Sequence, residues 1–538
     1  MTRTALAWLC CALPLAAQAT IVHPIAADLL TVGPAGWRQR LGPTNLGSLL
    51  ASAAGRELWS DGAEQIDGVW RHLLGVEAAA FATARQRLLD YSGSVQVQVR
   101  LVGEGRDPRM LAAVAFAPDG RTDMTALATD LRSLMARAAE QDWQVTKVGD
   151  RDVQTISRGD EVLLAPWLHE GRILLAMTPE TELAAAHGYA LALEQPPAQR
   201  PDSPAVWLRI DVSAIRATMR DGRDADEMTA LGADAVHSLE VLCGAAGPHV
   251  FIEPRLVFGD GDRGLLGALF PAAKGPSTFL TPAPTAASWK AGHIDLTALW
   301  IAGEKLVAAF SGQEPAEIRK ETVDELGIDP IDDMLAFAAT DYLLTGAFEQ
   351  VIRGGPADVL FALRLRDDAK FRTGFKTMLD KSKPFLQREA ATTHGEVEIW
   401  RYGGMFTGDL LLAVGEGMLV CAHGEGAEAA IQARLDAAGA KKGTEAPVPT
   451  LPWPDLVRYA PASGNGAALA DVPLALKMLS VFGEILEEML PFPIDALTTL
   501  RDEEELERIT AALREHHLDR VRTLTGHDGT TWRFRLLW

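Results

Sequence analysis

The chain has 538 residues, of which 48% are hydrophobic and 23% are charged. This balance is typical of a globular protein with room for two or more domain cores, and it argues against extended disorder. The 51 basic and 72 acidic residues give a formal net charge of −21. A field of that sign repels nucleic acid and anionic lipid, so we exclude both as partners of the whole chain.

The N-terminus carries the pattern of a secretory signal peptide. Arg3 supplies a positive start, Ala5–Ala17 form a short apolar run, and Ala17-Gln18-Ala19 gives a small-x-small cleavage pattern. The apolar run falls short of the roughly 20 residues that a membrane-spanning helix needs. We therefore predict that residues 1–19 are removed and that the mature chain is periplasmic or secreted. No later apolar stretch reaches spanning length, so we expect no transmembrane segment after signal removal.

Two cysteines remain in the predicted mature chain, Cys243 and Cys421. They fall in different predicted domains, so we expect no disulfide between them. Cys421 lies in the apolar run Met418–Ala422, which indicates a buried strand and an unreactive thiol rather than a nucleophile.

An internal duplication organises the rest of the chain, with a separation of about 250 residues between the copies. Each copy has an Asp-Tyr pair, an apolar strand, an amphipathic helix, a hairpin with two carboxylates, and a second apolar strand that leads into a helix. The matched elements are Asp90-Tyr91 with Asp341-Tyr342, Met110–Phe116 with Val359–Leu365, the helices that contain Met124 and Phe371, residues 149–153 with 395–399, and Ile173–Met177 with Met418–Ala422.

Each copy is also predicted to close on a hairpin. The strand pairs are Leu256–Phe258 with Leu265–Phe270, and Arg522–Leu524 with Thr531–Trp538. Between the copies, residues 271–288 contain four prolines and no periodic pattern, which predicts a linker that few contacts hold and that proteases cut first.

The predicted fold class is therefore α+β, with two tandem, internally duplicated domains of mainly antiparallel sheet covered by helices. We predict a first domain at 20–270, a Pro-rich linker at 271–288 and a second domain, which repeats the first, at 289–538.

Three aspartates share a strand-to-helix pattern: Asp211, Asp295 and Asp471. Each ends an apolar run, and in two of them a hydroxyl residue follows where a helix would start. The carboxylates could act as ligands, but a turn or a helix cap explains the pattern more simply.

Two glycine-rich turns resemble dinucleotide-binding loops. Gly259–Gly264 fits G-x-G-x-x-G, but we expect a strand after it instead of a helix, and its two aspartates would repel a pyrophosphate. Gly424–Ala429 lies between a predicted strand and a predicted helix, yet the matching turn of the first copy has no glycine. We interpret both as structural turns and assign no cofactor.

His394, Glu396 and Glu398 alternate in the sequence, which predicts that they share one face of one strand. Such a face could bind a metal or hold an acid/base pair. The histidine has no counterpart in the first copy, however, and Trp400 and Tyr402 would extend the same face. We therefore interpret it as an exposed hairpin face without a metal or catalytic role.

The remaining aromatic and histidine candidates are isolated. Trp453 lies between two prolines and is predicted to be exposed, while His516 and His517 end a charged helix, where an imidazole suits the helix dipole. The sequence contains no H-E-x-x-H, G-x-S-x-G, S-x-x-K, P-loop or EF-hand pattern. A triad assembled from distant residues stays open.

These observations predict an exported, soluble protein of the cell envelope with a non-enzymatic binding or structural role. Its partner would be an envelope protein, a glycan or a small molecule. No catalytic, cofactor-binding or metal-binding residue is assigned. Two alternatives remain: an envelope hydrolase with a dispersed active site, and a carrier of an apolar ligand. Hydrolase substrates would test the first, and lipid extraction of the purified protein would test the second.

Overall fold

The computed structural model describes residues 25–53, 55, 78–102, 109–148, 151–193, 204–218, 229–273, 275–280, 286, 288–346, 359–381, 387–403, 410–424, 426–439, 450–453, 456, 464–473 and 503–538. The chain divides into two compact units. The first consists of 1–43, 56–221 and 238–245, and the second of 44–55, 222–237 and 246–538. The predicted signal peptide lies outside the described residues.

The strands, in chain order, are β1 Ile25–Val32, β2 Ser94–Val102, β3 Arg109–Phe116, β4 Gln144–Val148, β5 Arg151–Arg158, β6 Glu161–His169, β7 Arg172–Pro179, β8 Val206–Asp211, β9 Val236–Ala246, β10 His249–Phe258, β11 Trp289–His293, β12 Ala338–Thr345, β13 Val359–Leu365, β14 Gln387–His394, β15 Val397–Gly403, β16 Leu410–Gly415, β17 Met418–His423, β18 Gly464–Asp471, β19 Arg520–His527 and β20 Thr531–Leu537.

The α-helices, in chain order, are α1 Pro34–Leu41, α2 Asn45–Ala51, α3 Ala78–Asp90, α4 Met124–Ala139, α5 Leu183–Ala192, α6 Val212–Thr218, α7 Gly264–Leu269, α8 Leu296–Ser311, α9 Pro315–Leu326, α10 Pro330–Asp333, α11 Asp368–Lys381, α12 Ala427–Gly439 and α13 Glu503–Glu515. Helices and antiparallel strands thus alternate along the chain, which confirms the mixed helix-and-sheet prediction.

The sheet of the first unit has the strand order β4-β5-β6-β7-β3-β2-β1-β8-β9, and every neighbouring pair is antiparallel. The sheet of the second unit has the order β14-β15-β16-β17-β13-β12-β11-β18-β19-β20-β10, again antiparallel throughout. The first nine strands of the two sheets therefore follow one order.

Helices cover both faces of the sheet in the first unit. Leu174 lies in a hydrophobic cluster with Ala186 of α5, whereas Ile173 lies in a second cluster with Leu127 of α4. All four side chains are fully buried. Because successive strand residues point to opposite faces, α4 and α5 cover opposite sides of β7.

The second unit is built in the same way. The helical spacing of Phe371, Phe375 and Leu379 places them on one stripe of α11, where they join a cluster with Trp400 and Leu412. Helix α12 contacts β13, β16 and β17. Helices α11 and α12 thus pack against strands that the sequence pattern predicted.

Carboxylates begin several helices, as the Asp patterns indicate. Asp295 Oδ1 accepts a hydrogen bond from the Ala298 backbone N–H at 2.9 Å. Asp211 Oδ1 accepts from Ala214 N at 2.8 Å and from the Ser213 hydroxyl at 2.6 Å. The aspartate itself, and not the hydroxyl residue that follows it, is therefore the cap. Asp471 ends β18.

The predicted closing hairpin of the first copy is wrong. Residues 264–269 form helix α7 instead of a strand. A short, continuously apolar segment fits either structure by periodicity alone, and here the Asp262 carboxylate accepts the Gly264 N–H at 3.0 Å and starts a helical turn. In the second copy, β19 and β20 pair as predicted.

One matched pair of the repeat does not fall on the same position of the corresponding elements. Asp90 ends α3 and Tyr91 precedes β2, whereas Asp341 and Tyr342 lie within β12. Two-letter coincidences carry no burial pattern, unlike the strands and helices matched with them. The carboxylate hairpin of the first copy includes 149–150, which lie outside the described residues.

The described part of the predicted linker is packed instead of loosely held. Ser277, Phe279 and Leu280 are at most 3% exposed. The Ser277 N–H donates to the Asn465 carbonyl at 3.0 Å, and the Thr278 N–H donates to Asp341 at 3.2 Å. The prediction of few contacts is therefore wrong for 275–280, because aromatic and aliphatic residues between the prolines reach the core of the second unit.

The predicted domain boundaries stay a prediction. The compact units differ from them in one respect: residues 44–55, 222–237 and 246–270 group with the second unit. Strand β10 accounts for part of this difference, since it pairs with β20.

Candidate functional site

The second unit contains a small groove that is lined by described residues. It lies between the end of α7 and the strands β11, β12, β18, β19 and β20, and it encloses a cavity of about 40 Å³. One buried water needs roughly 10–15 Å³ on this measure, so the cavity has room for about three waters.

Aromatic side chains form one wall of this groove. Trp532 and Phe534 alternate on β20 and therefore share a face, with their ring centroids 5.5 Å apart. Phe270, which follows α7, packs against Trp532 at 4.1 Å. Tyr342 of β12 also lines the groove. This wall presents apolar surface to a ligand.

Two glycines lie in or beside the groove. Gly292 lines it, and a Cβ there would approach the Tyr342 ring at 3.7 Å. Gly466 of β18, between the lining residues Asn465 and Ala467, lies so close to β11 and β19 that an added Cβ would be 2.5 Å from Thr525 Oγ1 and 2.9 Å from the Ala291 carbonyl oxygen. Gly292 therefore lines the groove without a side chain, and Gly466 allows the close approach of the strands.

The polar groups of the groove are held in place. Thr525 donates to Asn465 Oδ1 at 3.4 Å. His293 Nε2 lies 3.1 Å from the Gly275 carbonyl oxygen, and His293 Nδ1 lies 3.2 Å from Thr340 Oγ1. A carbonyl only accepts, so Nε2 carries a proton, while Nδ1 lies near the Thr340 hydroxyl and also 3.5 Å from Asp341 Oδ1. Both imidazole nitrogens are therefore used to fix the ring.

The His394, Glu396 and Glu398 candidates are not on one strand. His394 ends β14, Glu396 lies in the turn after Gly395, and Glu398 lies on β15. His394 Nε2 contacts Asp436 Oδ1 at 2.7 Å. The alternation rule holds only within one strand, and Gly395 with φ +60° reverses the chain between them.

The aromatic residues on that hairpin are also placed differently from the prediction. Trp400 is 2% exposed and Tyr402 is 6% exposed. Both belong to the core cluster under α11. The predicted exposed face is wrong here because both sides of β15 are covered.

Both glycine-rich segments are turns. In the first, Asp262 pairs with Lys305 and accepts the Gly264 N–H, and these hydrogen bonds, led by the one from Lys305, lower the pKa of Asp262. The segment after this turn is helix α7 and not the expected strand. The Asp262 carboxylate is paired with Lys305. In the second, Gly424 precedes α12 and its carbonyl accepts the Ala427 N–H at 3.2 Å.

The isolated candidates have structural contacts. Trp453 is half-buried and stacks on Trp289 at 5.6 Å, so the prediction that it is exposed is wrong. His516 Nδ1 lies 3.0 Å from Ser48 Oγ. Cys421 is a free thiol whose pKa burial raises to about 12, and burial also raises the pKa of Cys243.

Sequence reasoning did not find the groove. Its lining residues come from segments around 270, 290, 342, 466 and 532, and no local pattern connects them. The available signal was the pair of glycines within apolar strand segments, since an isolated glycine in a strand often marks a close approach.

A polar cluster occupies part of the sheet of the first unit. The Gln96 side-chain amide donates to Asp28 Oδ1 at 3.2 Å. Burial raises the pKa of Asp28 against the opposing effects of Gln96, Gln98 and nearby arginines. The Gln96 Oε1 and Arg209 Nε atoms are buried and have no hydrogen-bond partner among the residues that the structure describes. The central strands of the first sheet thus carry a polar cluster, whereas those of the second sheet line the groove.

The described residues contain neither a candidate metal cluster nor a candidate membrane-spanning helix. No group of three or more His, Cys, Asp or Glu side chains stands close enough together there to bind a metal. None of the helices in the same part of the chain has the length and apolar character to cross a membrane.

No family model and no curated protein matches this chain. A solved structure titled "Structure of crystal form III of TP0453" aligns with 47% of this chain and 86% of that chain, at 10% sequence identity and a TM-score of 0.22. A likeness at that TM-score supports no conclusion about fold or function.

Proposed function

We propose that this chain is an exported protein of the cell envelope that acts by binding, and that the groove of the second unit holds one ring of its ligand. The N-terminal signal pattern supports export. The groove is the single observation that carries the binding role, because its aromatic wall borders an open cavity of about 40 Å³ against which one face of a ring can stack.

The chemistry of the groove favours an amphipathic ring, such as one sugar unit of a glycan. Trp532 and Phe534 offer apolar surface, while Lys290, Asn465 and Thr525 offer donors and acceptors. A sugar ring has an apolar face and a hydrogen-bonding edge and so matches both. A lipid chain would leave the polar groups without partners.

The geometry of His293 supports binding over hydrolysis. Its Nε2 is engaged by the Gly275 carbonyl, and its Nδ1 lies beside Thr340 and Asp341, so the imidazole of the groove fixes the loop to the sheet. A general base must instead reach the proton that it removes.

The test is calorimetric titration with soluble monosaccharides and short glycans, combined with saturation-transfer NMR to identify the bound ring. Ala468→Leu fills the groove from β18. Ala470→Leu, two residues further on the same face of the strand and exposed, adds the same side chain away from it.

We expect a glycan to bind the wild-type chain and the Ala470→Leu variant alike, and Ala468→Leu to weaken binding at least about tenfold. Binding that survives Ala468→Leu places the ligand elsewhere, and an absence of binding by every glycan tested refutes the sugar assignment. Turnover of a glycan would favour the hydrolase alternative.

We also infer that the two units are copies of one duplicated domain. The shared order of nine strands supports this, as do the matching chain positions of α4 with α11 and of α5 with α12. In an experimental structure, β1–β9 should superpose on β11–β19 strand for strand. A superposition that matches strands only in another order would contradict the duplication.

A further inference from the structure

Two arginines of the second unit face one buried aromatic ring. Arg364 lies on β13, Arg434 lies on α12, and Phe279 lies in the 3₁₀ turn Thr278–Leu280. The guanidinium carbons are 5.0 Å and 4.7 Å from the Phe279 ring centroid. Phe279 itself is 3% exposed. Cation–π contact of this kind holds both guanidinium groups against one ring.

Neither guanidinium has a hydrogen bond or ion pair to another described residue, and Arg434 Nε is buried without an acceptor. Two other inward-facing arginines do have such partners. Arg172, at 5% exposure, donates to the Leu193 carbonyl oxygen at 2.6 Å. Arg255 contacts the buried carboxylate of Glu253 at 2.6 Å. Arg364 and Arg434 differ from these two in that no described oxygen accepts from their guanidinium groups.

The electrostatics of the pair agree with its geometry. Burial and, to a lesser extent, the positive charge of Arg364 together lower the pKa of Arg434 to about 10. Burial also lowers the pKa of Arg364, with Asp341 acting against this at longer range. Two cations in a partly desolvated place repel each other. A net charge of −21 on the chain makes this local excess of positive charge more distinctive.

We propose that Arg364 and Arg434 form a binding site for an oxyanion, either a phosphate or a carboxylate group. A guanidinium presents N–H donors in a planar fork that matches two oxygens of such a group. An anion between the two would satisfy their free donors and remove the repulsion. Phe279 keeps both groups in position when the site is empty.

The test is thermal unfolding and calorimetric titration of the full mature chain with sodium phosphate and with sodium acetate. Sodium chloride at matched ionic strength is the reference, because it screens charge without matching the fork geometry. Arg434→Met and Arg364→Met each remove one cation and keep an apolar stem over Phe279. Arg366→Gln is the matched control: it removes the same charge from an exposed position two residues beyond Arg364.

We expect phosphate or acetate to raise the melting temperature of the wild-type chain above the chloride reference, and Arg366→Gln to behave like the wild type. Arg434→Met should lose this response and bind the anion at least about tenfold more weakly. Without any anion, Arg434→Met should melt at or above the wild-type temperature, because it relieves the repulsion. That second readout separates a lost site from a misfolded variant.

The two salts distinguish the sources: a response to phosphate alone assigns a phosphate group, and a response to acetate assigns a carboxylate. A chain that responds to neither salt beyond chloride overturns the proposal. A response that survives in both methionine variants also overturns it. The groove variant Ala468→Leu should keep the full anion response, so this site can fail without affecting the glycan assignment, and the reverse holds as well.

Discussion

We expect replacement of the Asp119 carboxylate to lower the stability of the first unit measurably. This carboxylate accepts five hydrogen bonds, from the N–H and hydroxyl of Ser92, the N–H of Arg121, and the N–H and hydroxyl of Thr122, at 2.7–3.0 Å. These bonds join the start of β2 to the turn before α4. Asp119→Asn keeps the shape but places an amide N–H₂ where one carboxylate oxygen accepts. Since that nitrogen cannot accept, at least one backbone N–H loses its partner.

Hydrogen bonds to a charged group contribute about 1.5–3 kcal/mol, so we expect Asp119→Asn to destabilise the first unit by about that amount. For a unit of this size the melting temperature should fall by about 3–12 °C. The assay is differential scanning calorimetry of the full chain, in which the transition of the first unit should shift. Asp123→Asn is the control: Asp123 caps α4 through one oxygen, and asparagine caps a helix equally well.

The same carboxylate predicts a pH dependence. Burial raises the pKa of Asp119, but the hydrogen bonds from Ser92, Thr122 and Arg121 outweigh it and hold the pKa well below the usual range. A lowered folded-state pKa stabilises the protein above the unfolded value of about 3.9 and loses that stability as the pH falls below it. The difference between wild type and Asp119→Asn should therefore be constant at pH 5–7 and shrink below about pH 4. A difference under about 1 °C, or one that persists unchanged into acid, would refute this reasoning.

Three further changes test other parts of the chain. Glu253 is 1% exposed and contacts two arginines. Glu253→Gln should therefore lower the free energy of unfolding, measured by urea denaturation, by about 3–5 kcal/mol. Gly33→Ala should destabilise the first unit, because its Cβ would lie 2.3 Å from a carbonyl oxygen. Gly188→Ala, where a Cβ meets no neighbour, should stabilise the same unit by about 0.5–1 kcal/mol. Thermal melts compare the two variants. N-terminal sequencing of exported protein should return Thr20, and a start upstream of Ala17 would contradict cleavage there.

The sequence by itself determined the elements whose side chains repeat with a clear period. Helix α4 and helix α11 both follow from apolar residues at helical spacing, and β3 and β13 follow from their apolar runs. Asp295 follows as well, since an aspartate between a strand and a helix caps the helix whatever lies around it. These features depend on interactions within about four residues, which local sequence contains.

Tertiary structure alone decided which segments meet. The continuous apolar segment 264–269 became a helix because Asp262 begins it, although its composition fits a strand equally well. Strand β10 pairs with β20, so that Phe251 lies opposite Leu537. The period of a strand reports which residues share a face but not which strand lies beside it.

Both candidate sites are among the features that only the tertiary structure decided. The groove takes Phe270, Asn465 and Trp532 from three segments, and the oxyanion site takes Arg364 and Arg434 from a strand and a helix. An arginine in a sequence shows that a charge is present, but not whether a carboxylate neutralises it. Only the packed structure determines that, because the partner of a buried charge is set by contacts between residues far apart in the chain.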